Sequence, residues 1–269
     1  MLTADAIDSF LTSKRTKGLS ERTLASYSYR LKVFARLQPE LLTDPTSIES
    51  FLAKTGPSLE NRETYYRLLR NFYNVIVKRR LVSSNPVLEI ESPLLRPKLA
   101  RSLAPEALNL LLTHPSHSPH IVAFLYLLAD TGIRLSEALS VSANDFGSGT
   151  VVVTGKTGER EVPISPLVRG MVLDALPWPW SSYQAAGLAV RRAFRRAGIT
   201  GRRASAHTLR HTFVRLWDGD ETLLQGILGW TSLRMMKIYR PYNLKRAIAQ
   251  HAQYGPLRQL TGSKQLPLL

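Results

Sequence analysis

The sequence predicts a mainly α-helical protein of two domains, with one small β-hairpin that makes its second half mixed α/β. Three observations carry this. The chain has 269 residues, enough for two domains of ordinary size. Apolar residues recur at helical spacing through most of its length. One segment breaks that period, "GTVVVTGKTGEREVPIS" at 149–165, where two runs with β-branched residues flank a Gly-containing turn.

The first 92 residues read as several amphipathic helices. In "SERTLASYSYRLKVFARL", Leu24, Tyr27, Leu31 and Phe34 share one face and Ser20 is the cap. In "DPTSIESFLAK", Asp44 caps, Pro45 opens the first turn, and Ile48, Phe51 and Leu52 form the stripe. The helix in "SLENRETYYRLLRNFYNVIVKRRLV" carries Tyr66, Leu69, Phe72 or Tyr73, and Ile76, and ends before Pro86. "ESPLLRPKLAR" then has two prolines, three basic residues and no period, so 93–100 reads as a linker between domains spanning 1–92 and 101–269. Beyond the hairpin, with Lys156 expected at its tip, helical pattern resumes at "YQAAGLAVRRAFRRAGI".

Charge is the first functional clue. Thirty-six Lys and Arg against twenty Asp and Glu leave +16, which favours a polyanionic partner through phosphate neutralisation. Both halves are positive, with 14 basic and 10 acidic residues before Arg96 and 22 and 10 from there on. Arg191, Arg192, Arg195, Arg196, Arg202 and Arg203 fall within thirteen residues that hold no acid, the pattern of a phosphate-facing surface rather than a solvated helix face. Nucleic acid is the leading candidate partner. The longest apolar run, "IVAFLYLLA" at 121–129, is too short for a membrane span. "MLTADAIDSF" lacks a secretory leader and the chain has no cysteine, so a cytoplasmic protein without disulfides is expected.

His207, Arg210 and His211 gather within "HTLRHTF" in a chain with six histidines. The two imidazoles stand four apart, as on one helix face, but a third metal ligand would have to come from an unmarked position and Arg210 adds a fixed charge beside it. No metal and no cofactor are expected. Asp218, Asp220 and Glu221 read more simply as helix-start residues than as nuclease acids.

The cluster does not stand alone. "TGIRLSEAL" carries Arg134 and Glu137, "GKTGEREVPI" carries Lys156, "HTLRHTF" follows, and "LGW" ends at Trp230 with Tyr239 nine residues on. In this order the four motifs resemble the signature of the tyrosine recombinases, the integrases and Xer-type enzymes, across about residues 101–255. The helical first half, with its "NPV" exit, is similar to the family's core-binding domain. The resemblance implies a C-shaped clamp on duplex DNA. Tyr239 would be the nucleophile, forming a 3′-phosphotyrosine and freeing a 5′-hydroxyl without ATP. Arg134 and Arg210 would hold the phosphoryl oxygens. Lys156 would protonate the leaving oxygen, and His207 would move the proton at Tyr239 or donate to a non-bridging oxygen. Glu137 and His211 would orient these neighbours.

Trp230 stands where many relatives have histidine; its indole N–H donates a hydrogen bond but transfers no proton, so its expected role is positional. The segment from Phe213 to Leu228 is shorter than usual in the family, which implies a tightened turn near "DGD". Tyr242 is a rival nucleophile, disfavoured by the nine-residue step and by Pro241. The reading is a site-specific recombinase, a homotetramer on two DNA sites, without a further N-terminal module and with a C-terminal tail docking in cis or on a neighbour. A topoisomerase-like nicking and resealing enzyme, and a non-catalytic DNA-binding protein on the same fold, are the alternatives.

Overall fold

The computed structural model describes residues 2–95, 101–155 and 158–230. The chain divides into two compact units, Met1–Pro97 and Lys98–Leu269. Among the described residues no helix is long and apolar enough to cross a membrane.

In the first unit four helices, α1 (Thr3–Thr16), α2 (Glu21–Leu37), α3 (Pro45–Lys54) and α4 (Leu59–Lys78), precede a 3-10 turn at Pro86–Glu89. Ser20 accepts from the Thr23 backbone N–H at 3.4 Å and Asp44 from that of Ser47 at 2.7 Å, so both expected caps form. The apolar stripes meet in one core containing Phe10, Leu31, Phe34, Ile48, Phe51 and Leu69. Phe72 and Tyr73, alternatives in the sequence reading, are both fully buried. The Tyr73 hydroxyl donates to the Leu42 carbonyl at 2.7 Å, which satisfies the one polar atom that ring takes inside. Asn85 ends the helical region by donating to the Arg70 carbonyl and accepting from the Val87 N–H.

The second unit runs α5 (Pro105–Leu112), α6 (Pro119–Thr131), α7 (Leu135–Ser140), β1 (Thr150–Gly155), β2 (Gly158–Pro163), α8 (Pro166–Ala175), α9 (Tyr183–Arg196), α10 (Ala206–Leu216) and α11 (Glu221–Leu228). Helices α3, α5, α6 and α8 open on proline, whose missing N–H would be unpaired there in any case. The apolar run of the sequence is α6, the central helix, which buries Ile121, Phe124, Leu125, Leu127 and Leu128 and packs against α7, α8, α9 and α10. Asp130 near its end accepts from both the backbone N–H and the hydroxyl of Ser165, which fixes the start of α8.

The strands form the expected antiparallel hairpin, with Val151 opposite Val162 and Val153 opposite Arg160. Because side chains alternate across a strand, this register puts Arg160 on the same face as buried Val162. The mainly α architecture with one small hairpin is therefore the one expected. At α11, Asp220 accepts from the N–H groups of Thr222 and Leu223, the capping role read from the sequence.

Candidate active site

Three segments far apart in sequence build one pocket of about 270 Å³. The α6–α7 junction supplies Arg134, α9 supplies Tyr183, Gly187 and Arg191, and the start of α10 supplies His207 and Arg210. No carboxylate lines it among the described residues. Three guanidiniums and an imidazole around one small concavity make a site for an anion.

Each side chain has an identifiable scaffold. Helix α10 buries Thr208, Leu209 and Thr212 on one face, and its 3.6-residue period turns His207 and His211 to another. The chain entering the second unit pins this helix. Leu103 N–H donates to the Thr212 hydroxyl at 2.9 Å, and Arg215 donates to the Ser102 hydroxyl at 2.9 Å. Arg210 is only 3% exposed. Its Nη1 donates to the Gly132 carbonyl at 2.7 Å and its Nη2 to the Leu228 carbonyl at 2.9 Å. The guanidinium thus joins the ends of α6 and α11, two helix C-termini whose carbonyls lack intrahelical donors. Its carbon lies 5.8 Å from the Trp230 ring, a cation–π distance consistent with a positional role for that indole.

Arg134 stands at the cap position of α7. Glu137, at the third residue of that helix, reaches back to accept from the Arg134 N–H at 2.8 Å and from its Nη1 at 2.7 Å. Glu137 is 1% exposed and also receives both Nη groups of Arg160, at 3.1 and 2.9 Å. Burial opposes its ionisation, but the hydrogen bonds from Arg160 and Arg134 outweigh that and hold the carboxyl down at about 2. Gly155, at the end of β1, backs onto this carboxylate so closely that a Cβ there would overlap Glu137 Oε1. Lys156 follows Gly155 in sequence but lies outside the described residues, as do Tyr239 and the C-terminal tail.

The two histidines meet edge to face with ring centroids 4.2 Å apart. Partial burial, with Arg210 and Arg134 nearby, lowers His207 below the usual imidazole range. His211 falls further, to about 4, through burial, then His207, Arg210 and Arg101. Both lie below the ordinary imidazole value, and His207, which lines the pocket, has the chemistry to exchange a proton there.

Of the arginine-rich run, only Arg191 lines the pocket. Arg192, Arg195, Arg196, Arg202 and Arg203 are exposed, and Arg196 donates to the Ser116 carbonyl at 3.2 Å. Sequence reasoning missed Arg160. Its signal was present in strand alternation: two residues before an inward valine, a basic side chain must face inward as well.

No family model matches the chain. Tyrosine recombinase XerD of Shewanella oneidensis is 30% identical over 292 aligned residues, covering 93% of this chain and 96% of its own. Among solved structures, the Tn1549 transposon integrase in complex with transposon right end DNA superposes with a TM-score of 0.74 at 14% identity, over 94% of this chain and 99% of that one. A lambda integrase dimer bound to a COC′ core site gives 0.72 at 17%, over 87% and 97%; these two likenesses speak to the fold. The match to XerD runs nearly the full length of both chains, and by it this chain belongs to the tyrosine recombinase family, enzymes of site-specific DNA recombination.

Proposed function

We propose that the pocket holds the scissile phosphate of duplex DNA and that Tyr239 attacks it. The phenolic oxygen forms a bond to phosphorus, the bond from phosphorus to the 5′ oxygen breaks, and the strand is held as a 3′-phosphotyrosine. Arg134 and Arg210 hold the non-bridging oxygens, where planar guanidiniums meet the charge of the pentavalent transition state. His207 takes the phenolic proton, and Lys156 protonates the departing 5′ oxygen. Attack by a 5′-hydroxyl reverses the step, and because one ester is exchanged for another no outside energy is needed.

The observation that carries this reading is the convergence of Arg134, Arg191, His207 and Arg210 on one pocket that no carboxylate lines among the described residues. A guanidinium fixed by two carbonyls beside a histidine on the same pocket lining supports cleavage over binding alone. The first unit is the core-type DNA-binding half, residues 93–100 the linker, and the exposed arginines of 192–203 a backbone-contacting surface. Exchange between two duplexes calls for four protomers, as in the lambda integrase tetramer bound to a Holliday junction.

The test is covalent capture. The protein is incubated with a pool of nicked duplexes containing randomised sequence, denatured, and its attached DNA sequenced. Wild type yields adducts that converge on one site, and Tyr239→Phe and Arg134→Ala yield none. A protein that binds DNA yet never yields an adduct refutes the proposal. Relaxation of supercoiled plasmid without exchanged products would place the chain with nicking and resealing enzymes.

A further inference from the structure

Arg160 has no place in the reaction described above, yet all three of its guanidinium nitrogens are engaged. Its side chain is 12% exposed. Both Nη groups bind the two Glu137 oxygens, and its Nε donates to the Ile227 carbonyl at 2.9 Å. One guanidinium therefore spans from the start of α7 to the last turn of α11. The neighbouring carbonyl, Leu228, is held by Arg210, whose other nitrogen binds Gly132, two residues before Arg134. The hydrogen bonds close a ring: Arg134 to Glu137, Glu137 to Arg160, Arg160 to the end of α11, that end to Arg210, and Arg210 to Gly132.

The ring has a mechanical consequence. Glu137 accepts from Nη1 of Arg134, and no hydrogen bond from a described residue occupies Nε or Nη2 of Arg134. The direction of that guanidinium is thus set by where the carboxylate is held, and Arg160 holds both of its oxygens. The same residue fixes the turn of α11 from which the chain passes to Trp230 and on toward Tyr239.

We propose that Arg160 is a positioning residue of strand cleavage, aligning Arg134 through Glu137 and setting the end of α11 against the phosphate pocket. This rests on the cleavage reaction proposed above. Arg160 is not among the residues that line the pocket. A lysine in its place keeps a charge beside Glu137, but a single ammonium cannot reproduce two parallel bonds to the carboxylate and a third to Ile227.

The full-length protein is assayed on a nicked duplex recovered by covalent capture. Arg160→Lys, Arg160→Met, Glu137→Gln and the R160K/E137Q double variant are compared by thermal melting, DNA affinity and single-turnover cleavage at saturating DNA, normalised to folded protein. Arg160→Lys is expected to lose cleavage rate by about 10- to 100-fold while its DNA dissociation constant stays within about threefold of wild type. The double variant is expected to cleave no more slowly than the slower single variant, because both act along one path. Unchanged cleavage per folded molecule, or a loss confined to affinity, overturns the proposal. Losses that multiply in the double variant overturn the route through Glu137. Should Arg160→Met fail to fold, Arg160→Lys carries the comparison. Wild-type protein that forms no adduct refutes the reaction itself, a different result from wild type and Arg160 variants that cleave equally well.

Discussion

Arg210 Nη1 donates to the carbonyl of Gly132 at 2.7 Å, across 78 residues of sequence. This bond brings Arg210 and Arg134, two of the three arginines of the pocket, together, since Gly132 ends α6 and Arg134 begins α7 two residues later. Gly132 suits the place because it caps α6 in the left-handed region, at φ +63°, with the Phe213 ring packed against it.

Gly132→Ala is therefore expected to be costly. An added Cβ would overlap the Phe213 ring and approach Leu228 Cδ2 to 3.1 Å, in a backbone conformation that alanine resists. The combined strain and overpacking are expected to cost about 2–4 kcal/mol, read from urea or thermal unfolding. Cleavage should also slow in the molecules that remain folded, because Phe213 and Arg210 move with the same helix.

Glu137 predicts an acid-sensitive fold. Its carboxyl sits at about 2 in the folded chain against 4.5 when unperturbed. A depressed carboxylate stabilises the fold above its unfolded value and loses that contribution as pH falls through the folded one, so the window runs from about pH 5 down to about 2. The contribution is roughly 3 kcal/mol at neutral pH. Unfolding midpoints measured across this window should drop steeply for wild type. They should drop less for Glu137→Gln, which starts from lower stability because Arg160 then has no anion beside it.

The histidines are predicted to titrate apart. Proton NMR should find His211 neutral down to about 4 and His207 with a midpoint below the usual 6.5. As His211 is uncharged when folded but charged when unfolded between those values, it contributes stability above 6.5 that falls away toward 4. Sulfate, a stand-in for the scissile phosphate, should raise the His207 midpoint by favouring imidazolium beside an anion. A His207 midpoint that ignores saturating sulfate would argue against an anion in this pocket.

Arg191 should behave unlike its neighbour. Replacing exposed Arg192 by alanine should weaken DNA binding and lower the slope of log affinity against log salt by about 1. Arg191→Ala should also lower the single-turnover cleavage rate at saturating DNA, because Arg191 lines the pocket with Arg134 and Arg210. Equal effects in both variants would place Arg191 on the general backbone-contacting surface.

How much of this was legible beforehand depended on whether a feature is local. Caps such as Ser20, Asp44 and Asp220, and the stripes of α2, α3 and α4, are set within a turn or two of chain and were readable. The approach of Arg134 to Glu137 is one helical turn and was readable as well. What escaped was long-range pairing: Arg160 to Glu137 across 23 residues, and Arg210 to carbonyls 78 and 18 residues away. A carbonyl carries no side-chain signature, so no motif marks Gly132 or Leu228 as an acceptor. Likewise the split between Arg191 and the other arginines of its run depends on which turn of α9 faces the start of α10, which charge density alone does not specify.

The central claim is a covalent bond from Tyr239 to DNA at this pocket, and peptide mapping tests it most directly. Protein trapped on a cleaved duplex is digested with nuclease and protease, and the peptide bearing residual nucleotide is fragmented in a mass spectrometer. The account predicts a 3′-nucleotide esterified to Tyr239, with no adduct formed by Tyr239→Phe. Nucleotide carried by Tyr242 or by any other side chain, or strand cleavage that leaves no nucleotide on the protein, would contradict it.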